Sequence, residues 1–258
     1  MHTELLQNWM NSKRCYVTGA NGALGSEICV ALLLMNGIDV VALRRDENNS
    51  YFPDLELHSQ AKNNAPKFLI HCGWDTSDRT LAAQSNSKSE TAKLAQYCRE
   101  QEIKFIFISS QSATLGTRSH YGEMKFVAEQ LVAEHGGLSL RPGLILFNPP
   151  AGIQKKLCAF SKYGIRIKFY PNMTVSVIAV RDLVGYLMSI LNEGAFSTSN
   201  AKVTNRLVPI NSLTDLSRHR FGVVIPIPLR LLHSTVRCLG LFCSRAQAID
   251  DSLSAILD

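Results

Sequence analysis

Tyr121 and Lys125 stand four residues apart in Tyr121-Gly122-Glu123-Met124-Lys125. On a helix, that spacing puts both side chains on one face. An ammonium beside a phenol favours the phenolate and draws its pKa down from about 10. Such a tyrosine can exchange a proton with a substrate hydroxyl near neutral pH. Upstream, Ser109-Ser110-Gln111-Ser112 follows the apolar run Ile103 to Ile108. A hydroxyl of Ser110 or Ser112 could hold the same substrate oxygen. The spacing alone equally describes a tyrosine and a lysine on a solvated helix, so its meaning rests on what surrounds it.

A second pattern lies near the N-terminus, where Thr18-Gly19-Ala20-Asn21-Gly22-Ala23-Leu24-Gly25 follows the apolar run Cys15 to Thr18. Glycines at 19, 22 and 25 allow a tight turn. They bring the backbone N–H groups of Asn21, Gly22, Ala23 and Leu24 against a pyrophosphate, and the following helix adds its positive end. The next apolar run, Ile38 to Leu43, ends on Arg44-Arg45. An acidic residue there would accept from a ribose 2′-hydroxyl, whereas arginine takes up a 2′-phosphate. Arg44 and Arg45 therefore favour NADP(H), with NAD(H) the alternative. The bland reading is two solvated arginines at a strand end.

The elements that must position these groups can be read from periodicity. Strands are expected at Cys15 to Thr18, Ile38 to Leu43, Lys67 to Cys72, Ile103 to Ser109 and Leu138 to Arg141. Helices are expected at Leu24 to Met35, Ser87 to Glu102 and Tyr121 to His135. Continuous apolar strands alternating with helices imply a parallel sheet covered on both faces. The expected fold is α/β, a Rossmann-type doubly wound parallel sheet with a small C-terminal substrate lobe. The stretch 46–66 is polar, and only Tyr51 to Leu57 could form a strand there.

Beyond Arg141-Pro142-Gly143 the pattern loosens. A strand at Val175 to Val180 and a helix at Arg181 to Asn192 precede an apolar tail from Val223. In that tail Leu229, Leu232, Val236, Leu239 and Cys243 share one helical face. The tail reads as a helix covering the core, or as a membrane-surface or partner-binding helix over 223–243. The expected division is 1–143 as the cofactor-binding domain and 144–258 as the substrate lobe and C-terminal helix, interleaved as one unit.

At 258 residues, 46% hydrophobic and 19% charged, the chain has the composition of a soluble globular protein. Its net charge of +6 is scattered without aromatic interleaving, which argues against nucleic acid binding. The seven cysteines include no Cys-x-x-Cys pair, so reduced thiols are expected, without a disulfide framework or a metal site. The N-terminal MHTELLQNWMNSK carries no signal-peptide pattern, and no apolar run is long enough to span a membrane. A cytoplasmic location is the expectation.

Taken in order, these motifs resemble the extended short-chain dehydrogenase/reductases, specifically the NAD-dependent epimerase/dehydratase family of nucleotide-sugar enzymes. The resemblance covers about residues 14–192. It rests on TGANGALGSE, FLIHCGW, Asn86, FIFISSQSA, YGEMKFVAEQLV, LRPGLILFNPP and VIAVRDLVGYL. It implies that the backbone of His71-Cys72-Gly73 passes along the cofactor and that Pro142-Gly143 lies beside the nicotinamide. It implies Tyr121 as acid/base and Lys125 as its tuner and ribose ligand. A serine of the 110–112 stretch would orient the reacting hydroxyl. Alignment from the strand selects Ser110; alignment from Ala113-Thr114-Leu115-Gly116 selects Ser112, and Ser110 is preferred.

Departures from the family pattern shape the expected chemistry. Family dehydratases follow the catalytic hydroxyl residue with Asp-Glu, whereas Gln111-Ser112 stand here, which disfavours dehydration. The arginine pair replaces the acidic residue of NAD-retaining epimerases, and the polar 46–66 stretch implies a trimmed third strand. The implied activity is hydride transfer at a carbinol carbon of a sugar, as an epimerase or a keto-sugar reductase. The substrate would be a small molecule, a nucleotide-linked sugar. The alternative is a non-catalytic NAD(P)-binding sensor or assembly protein of the same fold. Pairing of helices into a homodimer is implied by resemblance alone.

Overall fold

The computed structural model describes residues 13–35, 38–47, 50–59, 66–117, 119–151, 155, 165–170, 174–193, 201–203, 206–209, 212 and 223–228. Among the described residues six strands build the central sheet: β1 (Lys13–Thr18), β2 (Ile38–Leu43), β3 (Pro66–His71), β4 (Lys104–Ile108), β5 (Leu138–Pro142) and β9 (Ala201–Val203). Their order is β2-β1-β3-β4-β5-β9, and every neighbouring pair is parallel. The chain leaves β1 toward β2 on one side and returns to β3 on the other. That reversal is the switch point at which α/β sheets open a crevice above their strand ends.

Alternation along the strands feeds two cores. Cys15, Val17, Ile70, Ile106, Ile108 and Leu140 face one side. There they meet Ile28 and Leu32 of α1 (Ala23–Leu34) and Leu183 and Leu187 of α5 (Val180–Glu193). Tyr16, Leu69, Phe105 and Phe107 face the other. They meet Leu94 and Cys98 of α3 (Leu81–Glu100), and Ala128 and Val132 of α4 (His120–Glu134). The sheet is thus doubly wound, and its apolar strands need cover on both faces. Residues past 143 rejoin this body: α5 packs on α1's side, and β9 extends the sheet beside β5.

Caps set the two helices that matter most for the site. The Thr80 side chain accepts from the Ala83 N–H at the start of α3, and Ser119 does the same for the Gly122 N–H at the start of α4. Thr80 moves the α3 start six residues ahead of the Ser87 expected from sequence, through the short stretch Leu81 to Asn86. Tyr51 to Leu57 is not a strand. Phe52–Ser59 forms α2, with Leu55 N–H bonded to the Tyr51 carbonyl at 3.0 Å and Tyr51 and Leu55 both buried one turn apart. Pro53 and Asp54 suit a first helical turn, which overrides the apparent alternation. Among the described residues β2 is therefore an edge of the sheet.

Smaller sheets complete the described chain. β6 (Leu144–Leu146), β8 (Thr174–Ala179) and β10 (Arg206–Pro209) form one, and β7 (Ile165–Tyr170) pairs in parallel with β11 (Val223–Pro228). Of the helix expected within 223–243, Val223–Pro228 is instead strand β11, and Leu229 to Cys243 lie outside the described residues. Cys15, Cys29, Cys72 and Cys98 are free thiols; Cys158, Cys238 and Cys243 lie outside the described residues. No described helix is long and apolar enough to cross a membrane.

Candidate active site

The turn after β1 is shaped by close approach. Gly19 has φ +68°, and a Cβ there would lie 2.8 Å from the Gly73 Cα and N. A Cβ on Gly25 would overlap the Gly19 carbonyl, so both positions need glycine. The Gly22 N–H donates to the Gly19 carbonyl at 2.9 Å, closing the turn. Gly22 is also the N-cap of α1 and offers no side-chain cap, and the first turn of α1 holds no acidic residue. The first-turn N–H groups of Ala23 and Leu24 are thus left for an anion, beside exposed Asn21. This cradle fits a dinucleotide pyrophosphate.

His71, at the end of β3, is structural. Its Nδ1 lies 2.7 Å from Thr18 Oγ1 and its Nε2 3.0 Å from Thr91 Oγ1. Thr91 gives its own proton to the Ser87 carbonyl, so its oxygen accepts from Nε2–H, and Nδ1 accepts from the Thr18 hydroxyl. Burial drives the imidazole down to about 3, with the Lys125 and Arg45 charges adding to the effect. The Thr18 oxygen in turn accepts from the Gly73 N–H at 3.3 Å. The ring thereby fixes the His71-Cys72-Gly73 backbone against the glycine turn.

The serine turn and the start of α4 meet where β4 and β5 end. The Ser110 hydroxyl lies 2.9 Å from that of Ser112, and the Ser112 N–H donates to it at 3.2 Å. The Ser110 hydroxyl also acts on the Tyr121 phenol in the sense that favours the phenolate. The Gln111 N–H donates to the Pro142 carbonyl at 3.0 Å, which brings the Pro142-Gly143 turn against the serine turn. Gly122 permits this assembly, since a Cβ there would overlap the Ser112 carbonyl.

Lys125 is buried, and its ammonium donates to the Ile108 carbonyl at 2.7 Å. The Nζ lies 4.8, 4.7 and 5.3 Å from the ring centroids of Trp74, Phe107 and Tyr121. Burial depresses its pKa to about 7, against the pull of Glu129 one turn along α4. Glu129 itself is buried and holds Arg141 of β5 in a two-pronged ion pair. Tyr121 is raised above its usual value by burial, and the Arg79 charge and the Ser110 hydroxyl oppose that rise.

The family profile described as "NAD dependent epimerase/dehydratase family" matches residues 15–146. This chain belongs to that family. Among solved structures it is similar to dTDP-4-dehydrorhamnose reductase from Bacillus anthracis in complex with NADP, with a TM-score of 0.70 and 18% identity over 85% of each chain. It is also similar to UDP-N-acetylglucosamine 4-epimerase from Bacillus cereus, with a TM-score of 0.66 and 14% identity over 84% of this chain and 86% of that one. The Bordetella bronchiseptica enzyme WbmH in complex with NAD+ matches with a TM-score of 0.66 and 14% identity, over 83% and 86%. At these identities the likeness establishes the fold. No curated protein matches the chain.

Within this family member the arginine pair divides. Arg44 is exposed at the end of β2, where its N–H donates to Asp54 at 2.8 Å. Arg45 turns inward: its guanidinium lies 5.0 Å from the Tyr51 ring centroid and donates to the Gly73 carbonyl. Arg45 also borders a polar cleft of about 480 Å³, lined along α3 by Asn86, Glu90 and Lys93. Two residues at the site were not singled out from the sequence. Trp74 sets its indole edge-on to Tyr121 with centroids 6.3 Å apart. Arg79 lies 4.2 Å from the Tyr121 ring centroid, and nothing in the polar run Asp75 to Thr80 marks it.

Proposed function

We propose that the protein is an NAD(P)-dependent oxidoreductase or epimerase acting at a carbinol carbon of a nucleotide-linked sugar. The observation that carries this reading is the Ser110–Tyr121–Lys125 constellation at the strand ends beside an uncapped glycine cradle. Tyr121 would take the proton from the substrate hydroxyl or return it, and Ser110 would hold that oxygen. Lys125 would bias the phenol toward its ionised form and reach the nicotinamide ribose. The nicotinamide, when bound, supplies or accepts the hydride. Gln111 Nε2, buried and with no hydrogen-bond partner among the described residues, would be a donor for a substrate oxygen in the same turn.

The Gly19–Gly25 turn and the α1 N-terminus would hold the pyrophosphate. The backbone of 71–73 and Pro142-Gly143 would flank the rest of the cofactor, and exposed Arg44 would meet a 2′-phosphate. The structural relatives bound to NADP and to NAD+ support a nicotinamide dinucleotide without choosing between them. Because Gln111 and Ser112 supply no carboxyl acid/base, oxidation and reduction are preferred to dehydration.

The test is incubation of the purified protein with NADPH and a panel of nucleotide-linked keto-sugars. Stoichiometric cofactor consumption identifies a reductase, and interconversion of epimers with retained cofactor identifies an epimerase. One feature favours the other reading, a cofactor-binding protein without turnover: the Lys125 ammonium is already engaged by the Ile108 carbonyl. Tight cofactor binding with no turnover on any member of the panel would select it.

A further inference from the structure

We infer that Arg79 is a positioning residue for Tyr121, a second cation held over the phenol ring beside Lys125. The inference rests on the reading of Tyr121 as the acid/base. The Arg79 guanidinium carbon is 4.2 Å from the Tyr121 ring centroid, nearer than the Lys125 nitrogen at 5.3 Å. Cation and ring at that distance attract, and the same charge favours a phenolate at the ring's end.

The loop that presents Arg79 is tied down from several sides. Asp75 Oδ1 accepts from the Ser77 N–H at 2.8 Å, the Ser77 hydroxyl at 2.7 Å and the Asp78 N–H at 3.2 Å. Gln84 of α3 donates to the carbonyls of Asp75 and Asp78 and accepts the Trp74 indole N–H at 2.7 Å. Arg79 Nε donates to the Thr76 carbonyl at 3.3 Å. Trp74, so anchored, closes the edge of the Tyr121 ring.

The charged groups around the phenol divide the task by pH. From α4 come Lys125 and, behind it, Glu129; from the loop comes Arg79; from β3 and the turn after it come a neutral His71 and the Cys72 thiol, which burial pushes up to about 12. Lys125 titrates at about 7 and is progressively neutral above that. Arginine stays protonated throughout. The charge over Tyr121 that survives into the alkaline range is therefore Arg79.

The experiment replaces Arg79 by glutamine and by lysine in the full chain and reads the ionisation of Tyr121 by NMR of ring-labelled tyrosine, with Tyr121→Phe assigning the resonance. Arg79→Gln should raise the Tyr121 pKa by about one unit or more. The limb of the kcat profile in the alcohol-oxidising direction should move to higher pH by the same amount. Arg79→Lys should restore both. An unchanged Tyr121 pKa in a folded Arg79→Gln protein would overturn the inference. Full turnover by Tyr121→Phe would instead overturn the acid/base reading, while the NMR titration would still report on Arg79.

Discussion

The Lys125 ammonium donates to the Ile108 carbonyl at 2.7 Å, pinning α4 to the end of the strand that delivers Ser110. A lysine buried this way works against stability while it is charged. Its folded pKa of about 7 lies below the unfolded value near 10.5. Stability from this group is fully present above 10.5 and is lost as pH falls toward 7, by at most about 1.4 kcal/mol per pH unit. Raised pKa values at Cys15, Cys72 and Cys98 act oppositely above pH 9. Between pH 7 and 9, wild type should therefore gain stability with pH. Lys125→Met should lose that rise while kcat falls about 100-fold or more. Urea denaturation at the two pH values, with kcat alongside, checks both.

His71 gives an acid limit of its own. Its folded pKa of about 3 lies below the ordinary 6.5, so its stabilising contribution is complete above 6.5 and lost progressively as pH falls toward 3. His71→Asn should be less stable than wild type at pH 7, because the Thr18 and Thr91 links are broken. It should also show a shallower loss between pH 6.5 and 5. Denaturation midpoints at three pH values measure this, and parallel curves would refute it.

Gly19→Ala should be costly. The φ of +68° and the contact with Gly73 both oppose a side chain. A loss of about 1–3 kcal/mol of stability is expected, together with at least about tenfold weaker cofactor binding. Calorimetric melting and NADPH titration by fluorescence read the two effects.

Arg44 and Arg45 should separate. Arg44→Ala should weaken NADPH by about tenfold and leave NADH nearly unchanged, since only the former carries a 2′-phosphate. Arg45→Ala should instead lower stability, because its guanidinium joins Tyr51 to the Gly73 carbonyl. Dissociation constants for both cofactors across wild type and the two variants decide the point. Tighter NADH than NADPH binding by wild type would contradict the preference.

Much of this was legible because it is local. The glycine spacing, the i and i+4 pair and the strand ending in serines each sit inside one element or one turn, and the alternation of elements implies the parallel sheet that joins them. The misread element, Phe52–Ser59, shows how two periods compete: Tyr51, Pro53, Leu55 and Leu57 alternate, yet Ser50, Pro53 and Asp54 spell a helix start. Arg79 was invisible for a different reason. Its role depends on a loop folded by Asp75 and Gln84 against a helix some forty residues on, and sequence spacing carries no trace of that contact. The inward turn of Arg45 is likewise a tertiary choice between two adjacent, identical side chains.

The central claim is that Tyr121 moves the proton. The most direct measurement is single-turnover hydride transfer with Tyr121→Phe, on whichever nucleotide-linked keto-sugar wild type reduces, with cofactor saturating. The account predicts a rate lower by about 100- to 10,000-fold with NADPH binding preserved. A rate within about threefold of wild type would contradict it, since the loss expected for a positioned acid/base is far larger.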